Sequence, residues 1–284
     1  MHNTDPPFEG IGVDGKKQAV ETLREFLAFP LNRTDGIFRR FAELPGATSF
    51  GEGRRQVLFV PGSRPIDSGR CLLVAHADTV WDDWPAGETD GSEVHPVLVE
   101  RNGVIRSGTR KHGIGADDRA GLAILWLLRG LGHSLMITDL EEVGRLGSKW
   151  LRDHEPSFLA QINRDHAFAV QFDRREARSF KCYDVGTRGF RRHVAQATGF
   201  SEPDRRAFTD ICTLCSPSGP VMRMCGTNLS IGYYDEHTEL ERLVISEWLR
   251  SFEVATRWLS TPRLPAFRQT RDERPERGQA MDAG

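Results

Sequence analysis

Short acidic and histidine motifs occur between residues 76 and 237 of the chain. They are His76-Ala77-Asp78, Gly115-Ala116-Asp117-Asp118, Glu141-Glu142-Val143-Gly144, Phe172-Asp173-Arg174 and Tyr234-Asp235-Glu236-His237. Carboxylate oxygens and neutral imidazole nitrogens are ligands that suit zinc, and a further carboxylate beside them can carry a proton during catalysis. These residue types predict a hydrolase that uses divalent metal ions.

The elements around these motifs would bring them to one edge of a sheet. Apolar runs that predict buried strands precede three of the motifs, at residues 71–75, 134–138 and 167–172. Asp117 begins a predicted helix over 117–131, and His237 lies between a weaker strand at 229–233 and a helical pattern over 239–259. Ligands of open α/β sheets bind outside the carboxyl ends of the strands, so the motifs are expected to meet there.

The remaining patterns predict an α/β fold with a mostly parallel, mixed central sheet and helices on both faces. They are helices at 16–28 and 145–154, a strand at 56–60, a hairpin at 97–105 around Asn102-Gly103, and a weak strand at 221–224. After Pro262 the apolar periodicity ends, and residues 270–284 are predicted to be a disordered tail. Residues 1–269 are predicted to form a single catalytic domain.

Composition narrows the choice of partners. A formal net charge of -2 over 284 residues creates no general field that would attract nucleic acid or an anionic membrane, so neither is an expected partner. Neither a secretory signal nor an apolar run long enough to span a bilayer is visible, which predicts a cytoplasmic protein.

Five cysteines, an odd number, favour reduced thiols over a disulfide framework. Cys212 and Cys215 form a CxxC motif, for which a zinc or redox role is the alternative to buried apolar thiols. A structural zinc site needs a second ligand pair, and only Cys225 follows. Buried thiols are therefore favoured, and the role of the pair stays open.

Chemistry suggests roles for several of the motif residues. The adjacent Glu141 and Glu142 offer one metal ligand and one general base. Asp78 lies two positions from His76 and can hold the tautomer of that imidazole. Asp117, at a helix start between the other motifs, is the natural bridge between two metals.

Together the motifs resemble those of the dinuclear zinc exopeptidase superfamily, which holds aminoacylases, glutamate carboxypeptidases, tripeptidases and leucyl aminopeptidases. The resemblance runs from about residue 72 to residue 241. It is carried by His76-x-Asp78-Thr79-Val80, Gly115-x-Asp117-Asp118-Arg119-x-Gly121, Glu141-Glu142-x-Gly144, and the segment from Gly232-Tyr233-Tyr234 through His237-Thr238-x-Leu240-Glu241. It implies the phosphorylase/hydrolase-like fold of that superfamily.

The resemblance implies a role for each residue. One metal would be held by His76, Asp117 and Asp173, and the other by Asp117, Glu142 and His237. Glu141 would be the general base and acid. Asp78 would be the partner of His76, and a cis peptide is expected after Asp117.

Three departures from the family pattern stand out. Asp173 and His237 are 64 positions apart, too few for the separate lid domain of about a hundred residues that many relatives insert there. Arg119 stands where the family usually has Lys. The acidic Asp235 and Glu236 precede His237 and could recognise a substrate amine.

The expected activity is metal-dependent amide hydrolysis at the end of a short peptide or on an N-acyl amino acid, with two zinc ions or, alternatively, cobalt or manganese. Two other functions remain open: a glutaminyl cyclase-like transamidase with one zinc, and a non-catalytic binding module. Arg188 is a candidate for holding a substrate carboxylate, although a surface position is favoured. Substrate identity and oligomeric state are not predicted.

Overall fold

A computed structural model of the chain describes residues 11–82, 92–203 and 208–269. The predicted tail at 270–284 lies outside these residues. The helices are α1 (Val13–Leu27), α2 (Asp35–Ala42), α3 (Ala116–Leu128), α4 (Leu146–His154), α5 (Pro156–Asp165), α6 (Arg188–Thr198), α7 (Asp210–Leu214) and α8 (Ile245–Leu259). The strands are β1 (Thr48–Glu52), β2 (Arg55–Val60), β3 (Leu72–His76), β4 (Leu98–Arg101), β5 (Val104–Ser107), β6 (Ser134–Thr138), β7 (Ala169–Arg174), β8 (Phe180–Lys181), β9 (Gly226–Ser230), β10 (Tyr233–Tyr234) and β11 (Arg242–Val244).

The main sheet has seven strands in the order β1-β2-β6-β3-β7-β9-β8. Its four central strands, β6, β3, β7 and β9, run parallel, while the strands at both edges are antiparallel to their neighbours. A second sheet of four strands has the order β10-β11-β5-β4. The predicted α/β fold with a mixed central sheet is confirmed.

Helices cover both faces of the main sheet because its central strands are apolar on both faces. Along β3, Leu73 and Ala75 pack in one hydrophobic cluster with residues of α1, α2, α3, α6 and α8. Leu72 and Val74 point to the other cluster, which includes residues of α4, α5 and α7. This alternation is the period-two pattern of a strand buried on both sides.

Two expected elements are wrong. The helical pattern over 239–259 does not form one helix, because residues 242–244 form β11 and α8 begins at Ile245. Leu243 pairs with Ile105 in the second sheet, so a long-range strand partner replaces the helical hydrogen bonds. The weak strand at 221–224 forms only an isolated bridge between Met224 and Arg268. Among the described residues, no helix is both long and apolar enough to cross a membrane.

Two histidines are buried in the neutral form. His133 accepts a hydrogen bond from the Cys71 amide at Nδ1 and donates from Nε2 to the Leu259 carbonyl, at 3.0 and 2.9 Å. His166 donates from Nδ1 to the Ile162 carbonyl, and its Nε2 lies 2.8 Å from the Ser134 hydroxyl. Burial lowers the pKa of each histidine to about 4.

Each of these two histidines should contribute stability that is lost on acidification. Their pKa in the unfolded chain is about 6.5, so between pH 6.5 and pH 4 the unfolded chain binds more protons and stability falls as the pH falls. At pH 5.5 the expected loss is about 1.4 kcal/mol per histidine relative to pH 8. Urea unfolding at pH 8 and pH 5.5 measures this contribution as the difference between the wild type and a variant that lacks one histidine, since other groups titrate in the same range.

A His133→Asn variant is the control, since asparagine can still accept from the Cys71 amide but does not titrate. It should be less stable than the wild type at pH 8 and lose less stability on acidification. An equal loss in both proteins would contradict the assignment to His133.

Candidate metal centre and active site

The five predicted ligands meet at the carboxyl ends of the central parallel strands. His76 ends β3, Asp173 is the penultimate residue of β7, and Asp117 is the second residue of α3. Glu142 follows β6, and His237 follows the short strand β10. Residues spread over 162 positions of the chain thus occupy one site because parallel strands end at the same sheet edge.

The ligand atoms form two groups that share Asp117. In the first, His76 Nε2 lies 3.2 Å from Asp117 Oδ1 and 3.4 Å from Asp173 Oδ1. In the second, His237 Nε2 lies 3.2 Å from Asp117 Oδ2 and 3.1 Å from Glu142 Oε2. The two oxygens of one carboxylate therefore face different histidines, which is the arrangement of a bridging ligand.

The donor set fits divalent metals. Ligands at about 2.0–2.1 Å from a tetrahedral zinc ion lie about 3.3 Å from one another, close to the separations found here. Glu142 Oε1 is buried and has no hydrogen-bond partner among the described residues. A buried carboxylate oxygen without a partner is costly, and a cation would satisfy it.

The pKa shifts within the two ligand groups also favour bound cations. Burial and the charge of Asp117 raise the pKa of Asp173 to about 6 and that of Glu142 to about 7. Hydrogen bonds with Asp117 and Glu142 raise the pKa of His237 to about 11. The clustered carboxylates therefore favour positive charge at the position of His237, where a bound cation would supply it.

Asp78 connects the first group to the glutamate pair. His76 Nδ1 donates to the Asp78 carbonyl at 3.1 Å and lies 3.3 Å from Asp78 Oδ1, which leaves Nε2 facing the ligand group. The same carboxylate accepts from the amides of Glu141 and Glu142, both at 3.0 Å. Burial alone would raise the pKa of Asp78, but its bonds with His76 and these amides lower it. Asp78 thus orients one imidazole and positions both glutamates.

Glu141 lines the same cavity as Asp117, Glu142 and Asp173. Burial raises the pKa of its carboxyl well above the usual value, and the nearby acid Asp173 adds to this effect. A carboxylate with a raised pKa beside a metal centre can accept a proton from water and later return it.

Two buried carboxylates hold the loop around Asp117. The Asp117-Asp118 peptide is cis, as the resemblance implied, and Asp118 accepts from the amides of His76 and Gly121, both at 3.1 Å. Glu241 accepts from the amides of Ile114, Gly115 and Asp117 at 2.7–3.1 Å. The supporting role of Glu241 was missed by sequence reasoning, although this residue lies in the last motif of the resemblance.

A cavity of about 260 Å³ opens beside the ligand groups. Besides Glu141 and the ligands other than His76, its lining consists of Arg174, Arg175, Tyr183, Phe208, Thr209, Asn228, Tyr233 and Glu236. Most of these residues were not predicted, because their side chains enter the cavity only after the segment between β7 and β10 has folded. Arg188 is exposed at the start of α6 and is not among the lining residues.

The acidic pair before His237 has other partners. Glu236 forms an ion pair with Arg175 at 2.6 Å, and Asp235 forms one with Arg242. Thr209 donates to Asp173 Oδ2 at 2.7 Å and helps to orient that carboxylate. The five cysteines are free thiols.

Comparisons with known proteins identify the fold. No protein-family model matches the chain, and no curated protein matches it. Among solved structures, the aminopeptidase PepT from Bacillus cereus ATCC 10987 matches with a TM-score of 0.59 at 13% identity, covering 87% of this chain and 98% of that one. An aminopeptidase from the archaeon Desulfurococcus kamchatkensis matches with a TM-score of 0.57 at 14% identity, covering 87% and 95%. A tripeptidase from Staphylococcus aureus matches with a TM-score of 0.58 at 13% identity, covering 86% and 98%. The chain therefore has the α/β fold found in these peptidases.

Proposed function

We propose that the protein is a metal-dependent amide hydrolase that acts as an exopeptidase or as an N-acyl amino acid deacylase. The observation that carries this proposal is the pair of ligand groups joined through the two oxygens of Asp117. The shared fold supports it, since the matched structures are described as aminopeptidases and a tripeptidase.

In this proposal His76, Asp117 and Asp173 hold one divalent ion, and Asp117, Glu142 and His237 hold a second. Zinc suits the nitrogen and oxygen donors best, with cobalt and manganese as alternatives. When bound, the metals supply Lewis acidity that polarises an amide carbonyl and makes a water molecule more acidic.

The protein residues would then move protons and orient groups. Glu141 takes a proton from the attacking water and delivers it to the leaving nitrogen as the C–N bond breaks. Asp78 keeps His76 in the tautomer with the proton on Nδ1, and its bonds to two backbone amides keep Glu141 in place.

We further propose that residues 1–269 act as one catalytic domain without a lid. Support comes from the described residues between Asp173 and His237. These contribute β8, β9, α6 and α7 to the main sheet and its covering layers, so they build the cavity wall.

The proposal predicts that hydrolysis depends on two bound metals. Purified protein should cleave at least one class in a panel of aminoacyl amides, dipeptides and N-acyl amino acids. Treatment with a chelator should abolish cleavage, and zinc, cobalt or manganese should restore it. Elemental analysis should count two ions per chain.

Other outcomes of this experiment favour the alternatives. One ion per chain together with cyclisation of N-terminal glutamine would identify a transamidase. Protein without bound metal and without hydrolysis of any panel member would identify a binding module.

A further inference from the structure

Arg174 is a buried cation that lines the candidate active site. It is the last residue of β7 and directly follows Asp173. The residue is 7% exposed, and its Nε donates to the Ser179 hydroxyl at 3.0 Å. Within the described part of the chain, no carboxylate lies in ion-pair range of its guanidinium, and Arg174 is one of the residues that line the cavity.

Not every buried arginine of this protein has a counter-charge, since the fully buried Arg119 donates to the carbonyls of Pro30 and Arg33, but two others do. Arg54 pairs with Asp82 and Asp139 at 2.5 and 2.8 Å. At the cavity rim, Arg175 pairs with Glu236. A guanidinium cannot lose its proton at neutral pH, and burying it without a counter-charge is unfavourable. In the described residues the terminal nitrogens of Arg174 have neither a carboxylate nor a carbonyl acceptor, and a ligand anion would supply one.

We infer that Arg174 binds a carboxylate group of the substrate, beside the metal centre, and so selects anionic amides. This inference rests on the proposed function and names its substrate class. The planar fork of a guanidinium matches a carboxylate with two parallel hydrogen bonds. Because the side chain is anchored through Ser179, its position is set before the substrate arrives.

The size of the cavity restricts the substrate further. A volume of about 260 Å³ lies just below the usual range for ligand pockets, which is roughly 300–1,000 Å³. Dipeptides and N-acyl amino acids carry their α-carboxylate one residue from the scissile amide and fit this description. An amidated substrate with an acidic side chain presents the same chemistry from a second source.

Kinetics with matched substrates test the inference. Arg174→Gln should lower kcat/KM about 30- to 100-fold for substrates with a free carboxylate, mainly through KM, as expected for the loss of a charge-assisted bidentate pair. For the amidated counterparts of these substrates, kcat/KM should change less than about threefold. Arg174→Lys should recover part of the loss, and Arg192→Gln, which removes an exposed charge on α6, should change neither class.

Binding gives a second readout that does not depend on turnover. Calorimetry on a Glu141→Gln background would use N-acetylalanine, N-acetylalaninamide and the α-amide of N-acetylglutamate as probes. Adding Arg174→Gln should weaken the binding of the two anionic probes and leave the binding of N-acetylalaninamide unchanged. Preference for N-acetylalanine would assign the α-carboxylate, and preference for the glutamate amide would assign an acidic side chain.

Several outcomes would overturn the inference. Equal loss for neutral and anionic substrates, together with a lower melting temperature, would show that Arg174 only supports the fold through Ser179. Unchanged binding of all three probes would show that no carboxylate contacts it. A protein that hydrolyses no amide but still needs Arg174 to bind N-acetylalanine would refute the proposed function and keep this inference.

Discussion

Replacing Glu141 with glutamine should lower kcat about 1,000-fold while leaving metal content unchanged, because positioned proton transfer by a general base typically contributes 100- to 10,000-fold. Glutamine keeps the shape of the side chain but accepts no proton from water. Glu141 belongs to neither ligand group, so both metal sites keep their donors. Steady-state kinetics on the best panel substrate, with elemental analysis of the same sample, measures the two effects separately.

The matched control is Glu21→Gln, which removes one carboxylate from the exposed side of α1. It should retain wild-type kcat. A Glu141→Gln protein that keeps both metals and hydrolyses at the wild-type rate would show that another group carries the proton, and the role of Glu141 would have to be withdrawn.

Replacing Asp117 with asparagine should remove both metals and all measurable hydrolysis. The reason is geometric: its Oδ1 lies beside His76 and its Oδ2 beside His237, so one substitution weakens both ligand groups. If each ion is present at about 1,000 times its Kd, its loss costs about 4 kcal/mol of stability. The melting temperature should then fall by roughly 10 °C per ion.

Single-site variants distinguish a bridge from an ordinary ligand. Asp173→Asn should lower metal occupancy only at the site that contains His76, and His237→Ala only at the site that contains Glu142. About one ion per chain should remain in each variant. In calorimetry, the chelator should lower the melting temperature of these variants by less than it lowers that of the wild type. If Asp117→Asn also kept one ion, the carboxylate would not bridge.

Local pattern was sufficient to predict much of the sheet. The apolar run before the glutamate pair was expected at residues 134–138, and β6 spans Ser134–Thr138. The predicted hairpin around Asn102-Gly103 forms β4 and β5, with positive φ at both turn residues. Both elements could be predicted from neighbouring residues. The strand was indicated by a continuous apolar run, and the hairpin by residues that favour a tight turn.

Near the C-terminal end, the local pattern gave a wrong prediction because the strand there pairs with a residue remote in sequence. Residues 239–259 have helical periodicity, yet Leu243 pairs with Ile105, and Leu240 is 68% exposed. Strand pairing depends on a partner 138 positions away, which no local window contains. The short elements α7 and β8 were missed because five and two residues carry too little periodicity.

The amino-acid sequence by itself determined which residues could form a metal centre and at which edge of the sheet they would gather. Strand ends, ligand types and the adjacent glutamates are all local properties. Only the tertiary structure decided that the two oxygens of Asp117 face different histidines and that Glu241 holds the Asp117 loop. It also decided that Arg174 lines the cavity without a counter-charge from the described residues. These features depend on distances between side chains remote in sequence, and packing alone sets those distances.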